Sequence, residues 1–147
     1  MDPAYISEIR AFNRWYTFLI GLLDRYYLNS GYSLTEVRVL YEIHHAEGGI
    51  TAHALTTLLG LDKGYLSRIL RQFEKGKLLD KKRSGTDKRS FTLCLSKKGA
   101  EEFGKLDRAS QEQLVGQFEP LADEELRRLV GHMKEIRKIC GRGWEKR

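Results

Sequence analysis

The sequence predicts a mainly α-helical protein with one small β-hairpin. Three observations carry that expectation. Apolar residues recur at spacings of three and four over most of the 147 residues, the period of amphipathic helices. The pattern changes at Leu78, where two short extended runs, Leu78–Arg83 and Ser90–Leu95, bracket the polar tip Ser84-Gly85-Thr86-Asp87-Lys88-Arg89. Just before them, two short helical runs meet at a tight Gly60-Leu61 turn. Helix, turn, helix and charged hairpin is the layout of a winged helix-turn-helix, which lays its second helix in a DNA major groove.

Met1 to Leu28 reads as one long helix starting near Asp2-Pro3. Ile6, Ile9, Phe12, Tyr16, Leu19, Ile20, Leu23 and Tyr27 share a face, and Trp15, Phe18 and Tyr26 widen it past half the girth. Such a helix has two faces to bury, one against its own domain and one against a partner chain or a ligand cavity. Asn29 to Tyr32 is loop. Ser33-Leu34-Thr35-Glu36 has capping-box spacing, and the helix it opens carries Val37, Val39, Leu40, Tyr41 and Ile43 before ending at His44-His45, with packing beneath the next two helices as its expected role.

Thr51 caps a helix from Ala52 to Leu59, buried through Ala54, Leu55, Leu58 and Leu59. Asp62 caps a second from Lys63 to about Lys75, buried through Leu66, Ile69, Leu70 and Phe73. Beyond the hairpin, Ser96 caps a long helix to about Gln117, thinly apolar through Ala100, Phe103, Leu106, Ala109 and Leu114. Glu119-Pro120-Leu121 breaks it. Asp123 then opens a last helix with Leu126, Leu129, Val130, Met133, Ile136 and Ile139 on one side, and the tail after Cys140 lacks periodicity.

The net charge of +6 is weak evidence taken whole. Its position is stronger. From Asp62 to Lys98 twelve basic residues face four acidic ones, so this window carries +8 and the remainder −2. The positive charge falls on the helix-turn-helix and hairpin, which points to a polyanionic partner there. No apolar run is long enough to span a bilayer. Two cysteines, Cys94 and Cys140, without a signal-peptide pattern fit a reducing compartment, the cytoplasm, with both thiols in the core or inert.

The exposed face of the second helix is Lys63, Gly64, Tyr65, Ser67, Arg68, Arg71 and Gln72. Small and polar residues in its first turns allow close approach to base edges. Arg68 and Arg71 reach guanine acceptors or phosphates, and Ser67 and Tyr65 hydrogen-bond bases or backbone, unless Tyr65 packs on the hairpin instead. Lys81, Lys82 and Arg83 either line phosphates or keep the strand soluble, and phosphates also suit the N-terminus of either helix. At the wing tip, Lys88 and Arg89 can cross the phosphate ridge, with Arg89 fitting a narrow minor groove. Asp87 would be repelled by phosphate, so its expected role is to orient Arg89. His44, His45 and His53 lack companion ligands at metal spacing, and no nucleophile elbow, phosphate loop or paired carboxylates occur. Neither an enzyme nor a cofactor or metal site is expected.

Several of these residues together resemble the MarR family of bacterial winged helix-turn-helix regulators. They are Leu34-Thr35, Ile50-Thr51, the run Leu78–Arg83, Asp87-Lys88-Arg89-Ser90, which matches an Asp-x-Arg wing signature, and Leu95-Ser96-Lys97-Lys98-Gly99 at the wing exit. The resemblance implies one domain over 1–147, with 34–95 as the DNA-binding lobe and 1–30 and 96–141 as dimerisation helices. It further implies a homodimer on a pseudo-palindromic duplex, a repressor, and a cleft where a small aromatic ligand relieves binding. Trp15, Tyr16 and Tyr41 are the candidate lining of that cleft, although an aromatic cluster here also suits core or dimer interface. A narrower likeness, through Ile9 to Arg14, Ile20 to Leu23 and Tyr32 to Glu36, is to the regulator half of MarR–GNAT acetyltransferase fusions. At 147 residues the chain leaves no room for the acetyltransferase. A third reading is a protein-interaction module on the same winged fold.

Overall fold

The computed structural model describes residues 1–21, 27–83 and 91–141. Among these, the helices are α1 Pro3–Leu19, α2 Leu34–His45, α3 Ala52–Leu59, α4 Lys63–Lys75, α5 Lys97–Phe118 and α6 Asp123–Gly141. Between α4 and α5 run strands β1 Leu79–Arg83 and β2 Phe91–Leu95, and a 3-10 turn occupies Tyr27–Asn29. This is the mainly α architecture with a small hairpin that the sequence predicts. The chain divides into two compact units, Met1–Arg108 and Ala109–Arg147, the division falling inside α5.

Short polar side chains set where the helices start. Asp2 accepts from the Ala4 amide at 2.8 Å ahead of Pro3, whose missing N–H costs nothing in a first turn. Ser33 Oγ accepts from the Glu36 amide at 3.2 Å while Glu36 accepts from the Ser33 amide at 2.6 Å, a complete capping box. Thr51 accepts from Ala54 at 3.1 Å, and Asp62 from Tyr65 at 2.9 Å. At α6 the Glu125 carboxylate reaches back to the Ala122 amide at 2.9 Å.

The first helix is shorter than expected. It ends at Leu19 rather than Leu28, because Gly21 takes φ +65° and Leu28 φ +53°, left-handed values that no right-handed helix contains. The Gly21 amide instead donates to Phe18 at 3.0 Å, closing the helix. None of its residues is buried.

The core of the first unit gathers Val39, Leu40 and Ile43 from α2, Leu55 from α3, and Leu66, Ile69, Leu70 and Phe73 from α4. Leu78, Leu93, Phe103 and Leu106 complete it. All four residues expected to bury α4 do so. On α3 only Leu55 is buried; Ala54 is exposed and Leu58 is 57% exposed. A helix of little more than two turns has room for one inward residue per turn, and its second such residue, Leu59, is half-buried. Ala100 and Leu114 likewise face outward.

β1 and β2 pair antiparallel, with Leu79 opposite Leu95 and Arg83 opposite Phe91. Ile50 adds a one-residue third strand, its amide and carbonyl exchanging bonds with Leu93 at 3.0 and 2.8 Å. The approach to it requires glycine: Gly49 has φ +91°, and a Cβ there would lie 2.7 Å from Cys94 Sγ. This bridge ties β2 to the segment that leads into α3, and so joins the two strands to the helix-turn-helix.

Candidate nucleic-acid interface

The outward face of α4 is set by its burial. Leu66, Ile69, Leu70 and Phe73 occupy the inward face, which leaves Lys63, Gly64, Tyr65, Arg68, Arg71 and Gln72 exposed and Ser67 half-buried. The guanidinium of Arg68 lies 5.8 Å from the centre of the Tyr65 ring, three residues back on the same face. Tyr65 therefore has a partner on its own helix.

Two grooves flank α4. One, of about 220 Å³, runs between α3 and α4 and is lined by Ala52, His53, Thr56, Lys63, Leu66, Ser67 and Leu70. The other, of about 410 Å³, lies between α4 and the hairpin and is lined by Ala52, Ser67, Leu70, Arg71, Glu74, Lys81, Phe91 and Leu93. Ala52, Ser67 and Leu70 border both. His53 and Thr56 are not among the expected contact residues, although they stand three apart on α3, on one side of that helix, and line this groove with Lys63.

The structure refines the basic window. Lys81 is bridged to Glu74 at 2.7 Å, which joins β1 to α4 and partly neutralises the lysine. In the sequence Glu74 is only a negative charge, since nothing there places it against a residue seven positions on. Lys98, although exposed, donates to the Gly76 carbonyl at 2.8 Å and so serves the C-terminus of α4. The N-termini also differ. Asp62 brings a carboxylate to the start of α4, whereas α3 is capped by the neutral Thr51 hydroxyl. A phosphate would be opposed at the first and accepted at the second.

The wing residues Asp87, Lys88 and Arg89 lie outside the described residues, as does the side chain of Arg83. Lys82 is exposed on β1. The three aromatics assigned to a ligand cleft fall into two ring clusters. Trp15 and Tyr16 pack with Phe12 on α1, at centroid distances of 5.9 and 5.6 Å from it. Tyr41 stacks on His45 at 4.1 Å and meets Phe103 edge-on at 6.1 Å. His44 lies 4.5 Å from the same Phe103, so both histidines are engaged with aromatic rings. Among the described residues no three His, Cys, Asp or Glu side chains converge as a metal site. Cys94 is half-buried, and Cys140, expected in the core or inert, is exposed near the end of α6. No helix among the described residues is long and apolar enough to cross a membrane.

Residues 30–90 match the model of the MarR family. No curated protein sequence matches the chain. Among solved structures, wild-type MarR from E. coli in its apo form superposes with a TM-score of 0.72 at 21% identity, covering 86% of this chain and 94% of that one. A Cys-to-Ser mutant of E. coli MarR complexed with operator DNA gives 0.71 at 21% identity, covering 92% and 99%. The transcriptional regulator SlyA gives 0.67 at 18% identity, covering 96% of each chain. At these identities the structural likeness speaks for the fold.

Proposed function

By its residues 30–90 the chain belongs to the MarR family, and on that footing we propose that it is a homodimeric, sequence-specific, double-stranded DNA-binding regulator of transcription, acting as a repressor. The observation that carries this is the pairing of a fully anchored α4 with an outward face of Lys63, Gly64, Tyr65, Ser67, Arg68 and Arg71 inside the +8 window. A binding face must be rigid to read bases, and four buried side chains on the back of α4 supply that rigidity. Its exposed cations supply affinity and salt dependence. The MarR structure solved with operator DNA shares the fold, which supports the same use of it here.

In this reading Arg68 and Ser67 meet base edges, Tyr65 stands beside Arg68 on the same face, and Lys63, Arg71 and Lys88 meet phosphates. Lys81 and Arg83 position the wing beside the backbone. Arg89, oriented by Asp87, enters the minor groove. Two copies of α4 then read successive major grooves about 34 Å apart. A small aromatic ligand near Trp15, Tyr16 or Tyr41 would relieve binding by altering that separation. The protein acts by binding, in the cytoplasm, without a cofactor.

The test is titration of an inverted-repeat duplex, recovered from a random pool, with wild type and Arg89→Ala. Weaker binding and a shallower salt slope for Arg89→Ala are expected, by about 0.9 per lost phosphate neutralisation. Equal affinities and equal slopes would remove Arg89 from the interface. Absence of wild-type binding to any duplex at low salt would remove DNA from the reading altogether.

A further inference from the structure

We infer that Tyr65 is a positioning residue for Arg68, its ring holding the guanidinium in place as a reader of guanine on the exposed face of α4. This rests on the reading of the chain as a duplex-DNA binder and says which residue sets one part of its sequence preference. The two side chains are three apart on one helix, the spacing at which side chains on a helical surface meet. The guanidinium carbon stands 5.8 Å from the ring centre, inside the distance at which an aromatic face attracts a cation. Tyr65 is absent from the core, which takes Leu66 and Ile69 from the same turns. Its backbone is fixed as well, because its amide donates to Asp62 at 2.9 Å. An exposed aromatic ring on a recognition face, with its main chain pinned and an arginine beside it, has a role to fill that packing does not supply.

The physical consequence concerns entropy. A free arginine loses most of its rotamers when it forms two parallel hydrogen bonds to guanine O6 and N7. An arginine already resting on a ring loses fewer. The ring is neutral, so it changes base preference without changing the number of phosphates neutralised. This separates a positioning role from a merely electrostatic one.

The experiment uses the full chain and the duplex recovered from a random pool. Arg68→Ala first identifies the base pair that Arg68 reads, as the position where replacing guanine by adenine no longer matters; in wild type that change is expected to cost roughly 5- to 150-fold. Tyr65→Leu is then expected to lower the guanine preference about 2- to 5-fold per lobe, the size of an exposed cation–π contact. Tyr65→Phe, which keeps the ring, should retain it. In the Arg68→Ala background Tyr65→Leu should have no further effect, and each Tyr65 substitution should leave unchanged the salt slope of the protein it is made in. Equal losses for Tyr65→Phe and Tyr65→Leu would assign the role to the hydroxyl and overturn the inference. So would an undiminished effect of Tyr65→Leu without Arg68, or an Arg68→Ala protein that keeps every base preference. Failure of wild type to bind any duplex is a different result, since it removes the DNA reading itself.

Discussion

At Gly99 a single hydrogen atom decides whether α5 can begin where it does. A Cβ built there would sit 2.0 Å from the Leu78 carbonyl oxygen and 2.9 Å from its carbon, and backbone cannot rotate away as a side chain can. Gly99→Ala is therefore expected to destabilise the fold by about 3 kcal/mol, the upper part of the range for overpacking, as read by urea denaturation. A change below about 0.5 kcal/mol, the ordinary surface value, would mean that the start of α5 is not held against Leu78. Tyr32 makes a second residue-scale case, this one in pH. Burial first, then the charges of Glu102 and Glu36, raise its phenol above the ordinary 10.0. The folded state thus holds the proton more tightly than the unfolded chain. The contribution is fully present below about pH 10 and is lost as pH rises through the higher folded value. Lys105, raised by its hydrogen bond to Glu102, acts in the same direction. Thermal midpoints from pH 9 to 11.5 should fall more steeply for wild type than for Tyr32→Phe; parallel curves would exclude Tyr32 as the source.

The elements show which information is local. Caps at Ser33, Thr51, Asp62 and Ser96 sit within three residues of the amides they serve, so α2, α3, α4 and α5 begin where the sequence says they do. The inward face of α4 was legible for the same reason, its four buried residues being successive members of one helical stripe. What was not legible depended on chain segments far apart. The Ile50 bridge to Leu93, the Glu74–Lys81 pair and the seat of Lys98 on Gly76 all cross between elements. Helix α1 departs from its expected length for another reason: apolar periodicity runs on past Gly21, and periodicity does not register a left-handed φ. The junction of α4 and α5 concentrates these non-local contacts. Lys77 holds φ +58° after the last turn of α4. Ser96 donates to its carbonyl at 2.7 Å, accepts from Gly99 at 3.0 Å, and offers its own amide to Leu78 at 2.9 Å. Ser96→Thr keeps both hydroxyl roles and should be near neutral. Ser96→Ala removes them and should cost about 1 to 2 kcal/mol. Ser96→Asp can accept from Gly99 but, ionised, cannot donate to Lys77, so its stability should fall below that of Ser96→Thr. If the aspartate variant equals the threonine one, the bond to Lys77 contributes nothing.

For the whole molecule the informative feature is apolar surface without cover. On α1, Ile9, Phe12, Trp15 and Tyr16 are all exposed and Phe18 is 81% exposed. On α6, Val130, Met133 and Ile136 are exposed, with Ile139 at 60%. Isolated exposed apolar side chains are ordinary, but a continuous stripe along a helix is a surface awaiting a partner. The sequence reading of the terminal helices as a dimer scaffold supplies one, a second copy of the chain. That yields a prediction with two separable parts. Wild type should sediment at twice the 17.0 kDa of the chain. Phe12→Glu and Ile139→Glu should each weaken self-association roughly 30-fold or more, the effect of losing a central interface residue. Because neither side chain is buried within its own chain, the helix content by circular dichroism should persist in both variants. A duplex with two half-sites should then be bound by the variants no more tightly than a duplex with one, since the gain from linking two lobes vanishes when the link is cut. Variants that keep both the doubled mass and the two-site advantage would place the self-contact elsewhere, and α1 and α6 would then need another partner to cover them.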